Sequence, residues 1–326
     1  MSSNEIAANA PMVSVLLVNY NTAHLTCRCL ESLIEHCGFT PYEIILVDNN
    51  STDGSLPILR PRFPSVTILT NSSNVGFGNA INQSATLARG RYLFLLNTDT
   101  ELREDTIGCL RQFLDEHPDA GAAGCRLLSP DGSPQPGAAY FPSMLRVAAG
   151  REVTAGLLRR HFPNLAAKVT FFLPDEDLHR PRKVDWCVAA ALMVRREAFS
   201  SIGGFDPRIF LYGEEMDLCL RLIAAGWSIY YDPETAVVHL GAASSGDGLN
   251  PQRLAYIAAG HRYFYHKHYG IIKGKLFCLI EVAAAVLKAT IWSMAGMAGN
   301  AFYRSQYFGK ARWHINYLKN YLTYNY

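Results

Sequence analysis

Four short apolar runs, "VSVLLV" (13–18), "EIILVD" (43–48), "VTILT" (66–70) and "YLFLL" (92–96), constrain this chain more than any other feature. Each is rich in β-branched, leucine or aromatic side chains and stays apolar at successive positions, the pattern of a strand buried on both faces. Between and after them lie segments with apolar residues at helical spacing: Leu25, Cys29 and Leu33 with Leu30 and Ile34, then Asn79 to Ala88, then Ile107, Leu110 and Leu114. Strand alternating with helix predicts a doubly wound α/β domain around a largely parallel sheet.

Further along, "SPDGSPQPG" (129–137) is dense in turn residues and marks a hairpin or a change of region. Residues 139–182 show no clean period and read as irregular structure with some helix. "VDWCVAAALMV" (184–194) then reads as a strand, "RREAFSSIG" as a helix, "EEMDLCLRL" as an acidic helix and "SIYY" as a short strand. The organisation expected is an N-terminal tail over 1–11, a domain over 12–249 with halves at 12–128 and 129–249, and a helical region over 250–326.

The net charge of +2 conceals an uneven distribution. Residues 250–326 hold ten Lys or Arg against one acid, Glu281, a net +9 that leaves −7 on residues 1–249. A tail of that sign is expected to meet something anionic. Eight cysteines without a C-x-x-C pair give no zinc pattern and read as buried thiols of a reducing compartment. "MSSNEIAANAP" has neither a basic start nor an apolar run, so a cytoplasmic location is expected.

In open α/β sheets ligands bind beyond the carboxyl ends of the strands. Every strand end here carries amides or acids: Asn19, Tyr20 and Asn21; Asp48, Asn49 and Asn50 in "VDNNSTDGS"; Asn74, Gly76 and Gly78 in "NSSNVGFGN"; Asn97, Thr98 and Asp99 in "LLNTDTEL". Turn and cap formation explains any single group. Tyr20 offers a ring on which a base can stack, and Asp48 an acceptor for a ribose or nucleobase. Gly76 and Gly78 let the backbone approach a ligand, although the absence of G-x-G-x-x-G argues against a nicotinamide cofactor. Asp99 presents a hard oxygen suited to Mg2+ or Mn2+, with His239 of "VVHLGAASS" able to add an imidazole. Glu214, Glu215 and Asp217 crowd the start of the acidic helix, where carboxylates complement the helix dipole. Such crowding also favours a raised pKa on one of them.

Taken in order, "VSVLLVNYN", "EIILVDNNSTDGS", "NVGFGNAIN", "LLNTDTEL", "GGFDPRIFLYGEEMDLCLRL" and "VVHLGAASS" resemble the inverting family 2 glycosyltransferases, within them the bacterial rhamnosyltransferase-like branch, over roughly residues 12–245. The resemblance implies a glycosyltransferase A-type fold, a Rossmann-like mixed sheet flanked by helices, with a nucleotide-sugar half and an acceptor half. It implies that Tyr20, Asn21 and Asp48 hold the nucleotide. The family's D-x-D metal motif falls on Asn97 to Asp99, so metal binding would rest on Asp99. Its E-D-x-D segment falls on Glu214, Glu215, Met216 and Asp217. The base would be Glu215, with Glu214 in reserve and Asp217 as an orienting or helix-start charge. Trp186 matches an aromatic lining the acceptor or sugar pocket, and His239 a histidine completing the metal or diphosphate site. The implied reaction moves a sugar, first of all rhamnose from dTDP-rhamnose, onto a glycan or lipid-linked glycan in cell-surface polysaccharide synthesis. A different nucleotide hexose, a galactofuranose donor, or a catalytically silent nucleotide-sugar-binding scaffold are the rivals, since Asn97 and Glu215 depart from the family pattern.

The tail combines an apolar stretch, Leu276 to Phe302, with ten tyrosines from Tyr256 onward, Trp292 and Trp313. Aromatic rings and basic residues flanking apolar helix suit a membrane interface. Docking on the inner face of the cytoplasmic membrane is the expectation, with homodimer packing and a true span as alternatives. Positive charge spread through apolar sequence does not suit nucleic acid.

Overall fold

The computed structural model describes residues 11–149, 161–173, 179–241, 250–298 and 301–323. Residues 1–10 of the expected N-terminal tail, part of the irregular stretch and the small residues of "GAASS" after Gly241 lie outside them.

The first hundred residues alternate as expected: β1 (Val13–Asn19), α1 (Ala23–His36), β2 (Tyr42–Asp48), α2 (Ser55–Arg62), β3 (Thr67–Thr70), α3 (Phe77–Leu87) and β4 (Tyr92–Leu96). These strands run parallel in the order β3-β2-β1-β4. Burial explains their composition, because every residue of β4 and all but one of β1 is buried. The register sets Asn19 opposite Asp48 and Asp48 opposite Thr70, so the polar strand ends share one edge of the sheet.

Beyond β4 come β5 (Thr100–Leu102), α4 (Thr106–Glu116), β6 (Ala120–Leu128), β7 (Pro134–Gln135) and β8 (Ala138–Ala139). The expected hairpin is present: Ser129 and Gly132 close the turn, and β7 returns along β6 with Gln135 opposite Leu127. Two short helices follow, α5 (Met144–Ala149) and α6 (Pro163–Val169).

The single strand expected over 184–194 is three pieces: β9 (Arg182–Val184), β10 (Trp186–Cys187) and β11 (Ala191–Arg195). Each finds a different partner. β9 pairs with the last strand, β10 with β8 in a separate two-stranded sheet, and β11 inserts antiparallel between β4 and β6. After α7 (Arg196–Ser201) and the acidic helix α8 (Glu214–Ala224), the chain forms β12 (Ser228–His239). This strand is three times longer than the "SIYY" expected, because bulges at Ser228/Ile229 and Asp232/Ala236 let it follow β6 through a charged stretch. The sheet is therefore mixed, with ten strands among the described residues.

Arg195 ends β11 with its guanidinium inside the core, donating to the carbonyls of Ala120, Leu114 and His117. It satisfies carbonyls at the C-terminus of α4 that have no partner within the helix. All eight cysteines are free; six are buried, Cys278 is half-buried, and Cys109 is exposed on α4, against the expectation that all would be interior.

Two compact units emerge from the described residues: one within 1–140, 172–210 and 214–244, the other within 141–171, 211–213 and 245–326. The second is helical. It contains α5, α6, α9 (Pro251–Ala298) and α10 (Ala301–Thr323). Gly270, at φ 78° and ψ 173°, breaks α9 into two helical segments that fold back on each other. Tyr265 and Tyr269 stack on Phe277 across that reversal, and Leu254, Ala258, Ala285, Tyr317 and Tyr321 form a common core with α10. Glu281, the acid interrupting the apolar stretch, is taken up inside this bundle by His261 and the Tyr317 hydroxyl, each at 2.8 Å. Among the described residues, no helix is long and apolar enough to cross a membrane.

Candidate active site

Two amide-centred networks build the cradle at the ends of β1, β2 and β3. Asn19, fully buried, donates to Asp48 Oδ1 (2.7 Å) and Ser51 Oγ (3.0 Å), and its own oxygen accepts from Thr22 (2.9 Å) and Thr26 (2.7 Å). Asp48 Oδ2 accepts from the backbone of Ser51 (3.0 Å). Asp48 is thus spent on the loop that follows it and is almost inaccessible. That loop is clamped from the other side by Asn21, whose oxygen accepts from the Thr52 backbone at 2.7 Å. Asn21 and Asn50 hold left-handed conformations, φ 53° and 65°, which asparagine tolerates better than other side chains. Tyr20, Asn21 and Asn50 remain exposed, forming the accessible surface of the cradle.

The second network centres on Asn49, a strand-end amide to which the sequence reading gave no role of its own. Its amide donates to Asn74 (3.1 Å) and to the Gly76 carbonyl (3.2 Å), while its oxygen accepts from Asn71 (2.9 Å). Asn49 was legible as one more amide in "VDNNS", but its inward orientation depends on the β2–β3 register. Gly76 and Gly78 have a local reason for lacking side chains. A Cβ on Gly76 would stand 2.3 Å from the Phe210 carbonyl oxygen, and one on Gly78 would stand 2.9 Å from Phe205 Cβ. The close approach at these glycines is made by the chain itself.

At the end of β4, Thr98 lies 3.3 Å from Thr22, and the Asn97 carbonyl accepts from Thr100 at 2.6 Å. The antiparallel pairing of β5 with β12 puts Thr100 opposite His239. Asp99 Oδ1 consequently lies 3.5 Å from His239 Nε2, both side chains largely buried. These residues, 140 positions apart in the chain, are the two expected metal ligands. Among the described residues, no cluster of three or more His, Cys, Asp or Glu forms a complete metal cage. A hard cation bound by few protein oxygens completes its coordination with water and substrate phosphates, so a carboxylate and an imidazole facing each other fit that mode.

The acids of α8 occupy a different element, which packs on β10 and β12. Asp217, fully buried, is paired with Arg221 at 2.8 Å, and Arg221 also donates to the Ile202 carbonyl. Glu214 is buried, and its Oε2 has no hydrogen-bond partner among the described residues. Burial, and then the neighbouring Glu215 charge, push the Glu214 carboxyl well above its ordinary value. Glu215 is more open than either neighbour. Immediately before the helix, Tyr212 holds φ 67°, an uncommon conformation for an aromatic residue, and Gly213 continues it at φ 93°. Trp186 on β10 is 5% exposed, its indole N–H donating to the Tyr140 carbonyl at 3.2 Å, with Phe172 tilted against the ring.

Comparison with solved structures defines the class. A mannosyltransferase from Pyrobaculum calidifontis, solved with GDP-Man and Mn2+, superposes with a TM-score of 0.58 at 16% identity, covering 96% of this chain and 88% of that one. The fold is that of the glycosyltransferase A-type enzymes. The model described as glycosyl transferase family 2 matches residues 14–203, more than half of the chain, and the protein belongs to that family of glycosyltransferases. An N-acetylglucosaminyl-diphospho-decaprenol L-rhamnosyltransferase of Mycobacterium tuberculosis is 33% identical over 69% of this chain and 74% of its own length. The rhamnosyltransferase WbbL of Escherichia coli K12 is 35% identical over 24% of this chain and 33% of its own.

Proposed function

We propose that this glycosyltransferase transfers rhamnose from dTDP-rhamnose, with inversion, to a lipid-linked glycan acceptor in cell-surface polysaccharide synthesis. The observation that carries the reading is the Asp99–His239 pair at 3.5 Å beside the amide cradle of Asn19, Asp48 and Asn49. The rhamnosyl and lipid-linked parts rest on the similarity to rhamnosyltransferases, one of them named for a decaprenol-linked acceptor.

In this reading the exposed ring of Tyr20 stacks on the nucleobase, and Asn21 and Asn50 give hydrogen bonds at the cradle surface. Asp48 acts by holding the loop that shapes the cradle. Asp99 and His239 would hold a divalent cation, which when bound would offset the charge that develops on the departing diphosphate. Glu215 accepts the proton of the acceptor hydroxyl as its oxygen attacks the anomeric carbon from the face opposite the leaving group. Burial and the Glu215 charge push the Glu214 carboxyl upward, and the more open Glu215 is the one assigned to the acceptor hydroxyl. Trp186 contributes the buried edge of the acceptor side. The helical unit docks on an anionic lipid surface, where a lipid-linked acceptor resides.

The test is donor turnover with a panel of nucleotide sugars in Mn2+ or Mg2+. dTDP-rhamnose should be consumed selectively, with Glu215→Gln lowering kcat at least ~100-fold, the lower end of what a positioned general base contributes. Selective turnover of another nucleotide sugar would replace the donor assignment. Donor binding without turnover by the unmodified protein would favour the scaffold reading.

A further inference from the structure

Gln135 lies in the hairpin strand β7, far in sequence from either acidic motif, yet it holds His239 from both ends. Its Nε2 donates to the His239 backbone carbonyl at 2.7 Å and to Ser129 Oγ at 3.2 Å. A backbone carbonyl can only accept, so the amide atom facing it must be the nitrogen, which removes the usual ambiguity of amide orientation. Gln135 Oε1 is then the atom 2.9 Å from His239 Nδ1. An amide oxygen can only accept as well, so the proton must sit on Nδ1. In the neutral ring the lone pair is thereby placed on Nε2, the atom 3.5 Å from Asp99 Oδ1.

We infer that Gln135 is a positioning residue that fixes His239 in its Nδ1–H tautomer and so presents Nε2 and Asp99 as a paired donor set for a divalent cation. The inference rests on the metal reading above, which it deepens. Neighbouring contacts agree with it. The Leu240 amide donates to the Asp99 carbonyl at 2.9 Å, pinning the β5–β12 junction, and the Ser129 turn anchors the hairpin that carries Gln135. The hairpin thus sets the ring from its Nδ1 side and leaves Nε2 turned toward Asp99.

The decisive experiment reads the tautomer directly in the full-length, metal-free protein. Histidine labelled with 15N is followed by two-bond 1H–15N correlation at about pH 8, above the ordinary histidine value. The His239 signals are assigned by their loss in His239→Asn. The expected pattern is a protonated Nδ1 and an unprotonated Nε2, lost or reversed in Gln135→Leu. A separate titration with Mn2+ alone, followed by the paramagnetic resonance of the free ion, should show affinity falling roughly 10- to 100-fold in Gln135→Leu, the usual effect of removing an outer partner of a ligating histidine. A protonated Nε2 in the unmodified protein overturns the inference, as does Mn2+ affinity unchanged in the variant. Failure of the metal reading has a different signature: Mn2+ binding indifferent to Asp99→Ala, with the Nδ1–H tautomer still present.

Discussion

At the scale of single residues, charge is separated by environment. Asp217 is neutralised by Arg221, Glu214 is buried, and Glu215 is the more open carboxylate of the three. The raised pKa of Glu214 has a thermodynamic sign. Above its ordinary value near 4.5, the unfolded chain has released a proton that the folded chain retains, so stability falls as pH rises through that window. Glu214→Gln cannot ionise and should melt higher than the unmodified protein at pH 8, by roughly 2–4 °C for each kcal/mol recovered. The gap should close below the ordinary carboxylate value. A melting difference that does not change with pH would show that the burial of charge is not its cause.

At the scale of elements, the inserted strand β11 does more than extend the sheet. Its antiparallel entry between β4 and β6 carries Arg195 into the interior, where the guanidinium donates to the Leu114 and His117 carbonyls at the end of α4 and to the Ala120 carbonyl of β6, and lies 5.6 Å from the Tyr92 ring. Hydrogen bonds to a charged donor contribute about 1.5–3 kcal/mol each. Arg195→Met should therefore destabilise the fold by about 3 kcal/mol, measured by urea unfolding, because it removes charged donors from the buried Leu114 and Ala120 carbonyls. A loss below ~1 kcal/mol would mean that water replaces the guanidinium at the helix end. The β6–β7 hairpin shows the same economy: one turn closes an edge and delivers Gln135 to His239.

For the whole molecule, the helical unit raises the question of partners. On the second segment of α9, the inward positions Gly274, Phe277, Ala285, Ala289 and Gly296 are small or aromatic and buried. The outward positions are also apolar: Ile272, Leu276, Leu279, Leu287, Met294 and Met297 are all exposed. Exposed Lys273 and Lys275 stand at the start of this face. A helix apolar all round needs a second covering, and basic residues at its margin complement anionic headgroups. Co-sedimentation with phosphatidylglycerol vesicles should therefore occur, weaken with salt, and be lost in the double variant Ile272→Glu/Leu279→Glu without a change in Tm. Binding that persists in the variant would remove this face from the docking surface. Concentration-dependent dimers of the unmodified protein, absent in the variant, would assign the face to a second copy of the chain.

Periodicity and strand-end chemistry carried much of this in the sequence. Buried strands need unbroken apolar runs and helices need a 3.6-residue stripe, so β1 to β4 and α1, α3 and α4 were readable locally, as were the amides that follow each strand. The division of "VDWCVAAALMV" among three partners was not, since pairing choice depends on segments 45 or more residues away. Nor was the fate of individual polar groups. Asn49 and Asn50 are adjacent amides, and only the register of β2 with β3 turns one into a buried hub and leaves the other exposed. Asp99 and His239 could be proposed as partners from motif order, but their separation is set by β5 crossing to β12, and the proton on His239 by a hairpin that was legible only as a turn and lies outside the family motifs. Composition and local spacing report what a segment can bury. Which donor meets which acceptor is decided by long-range pairing, because a hydrogen bond depends on ångström-scale geometry that no local pattern encodes.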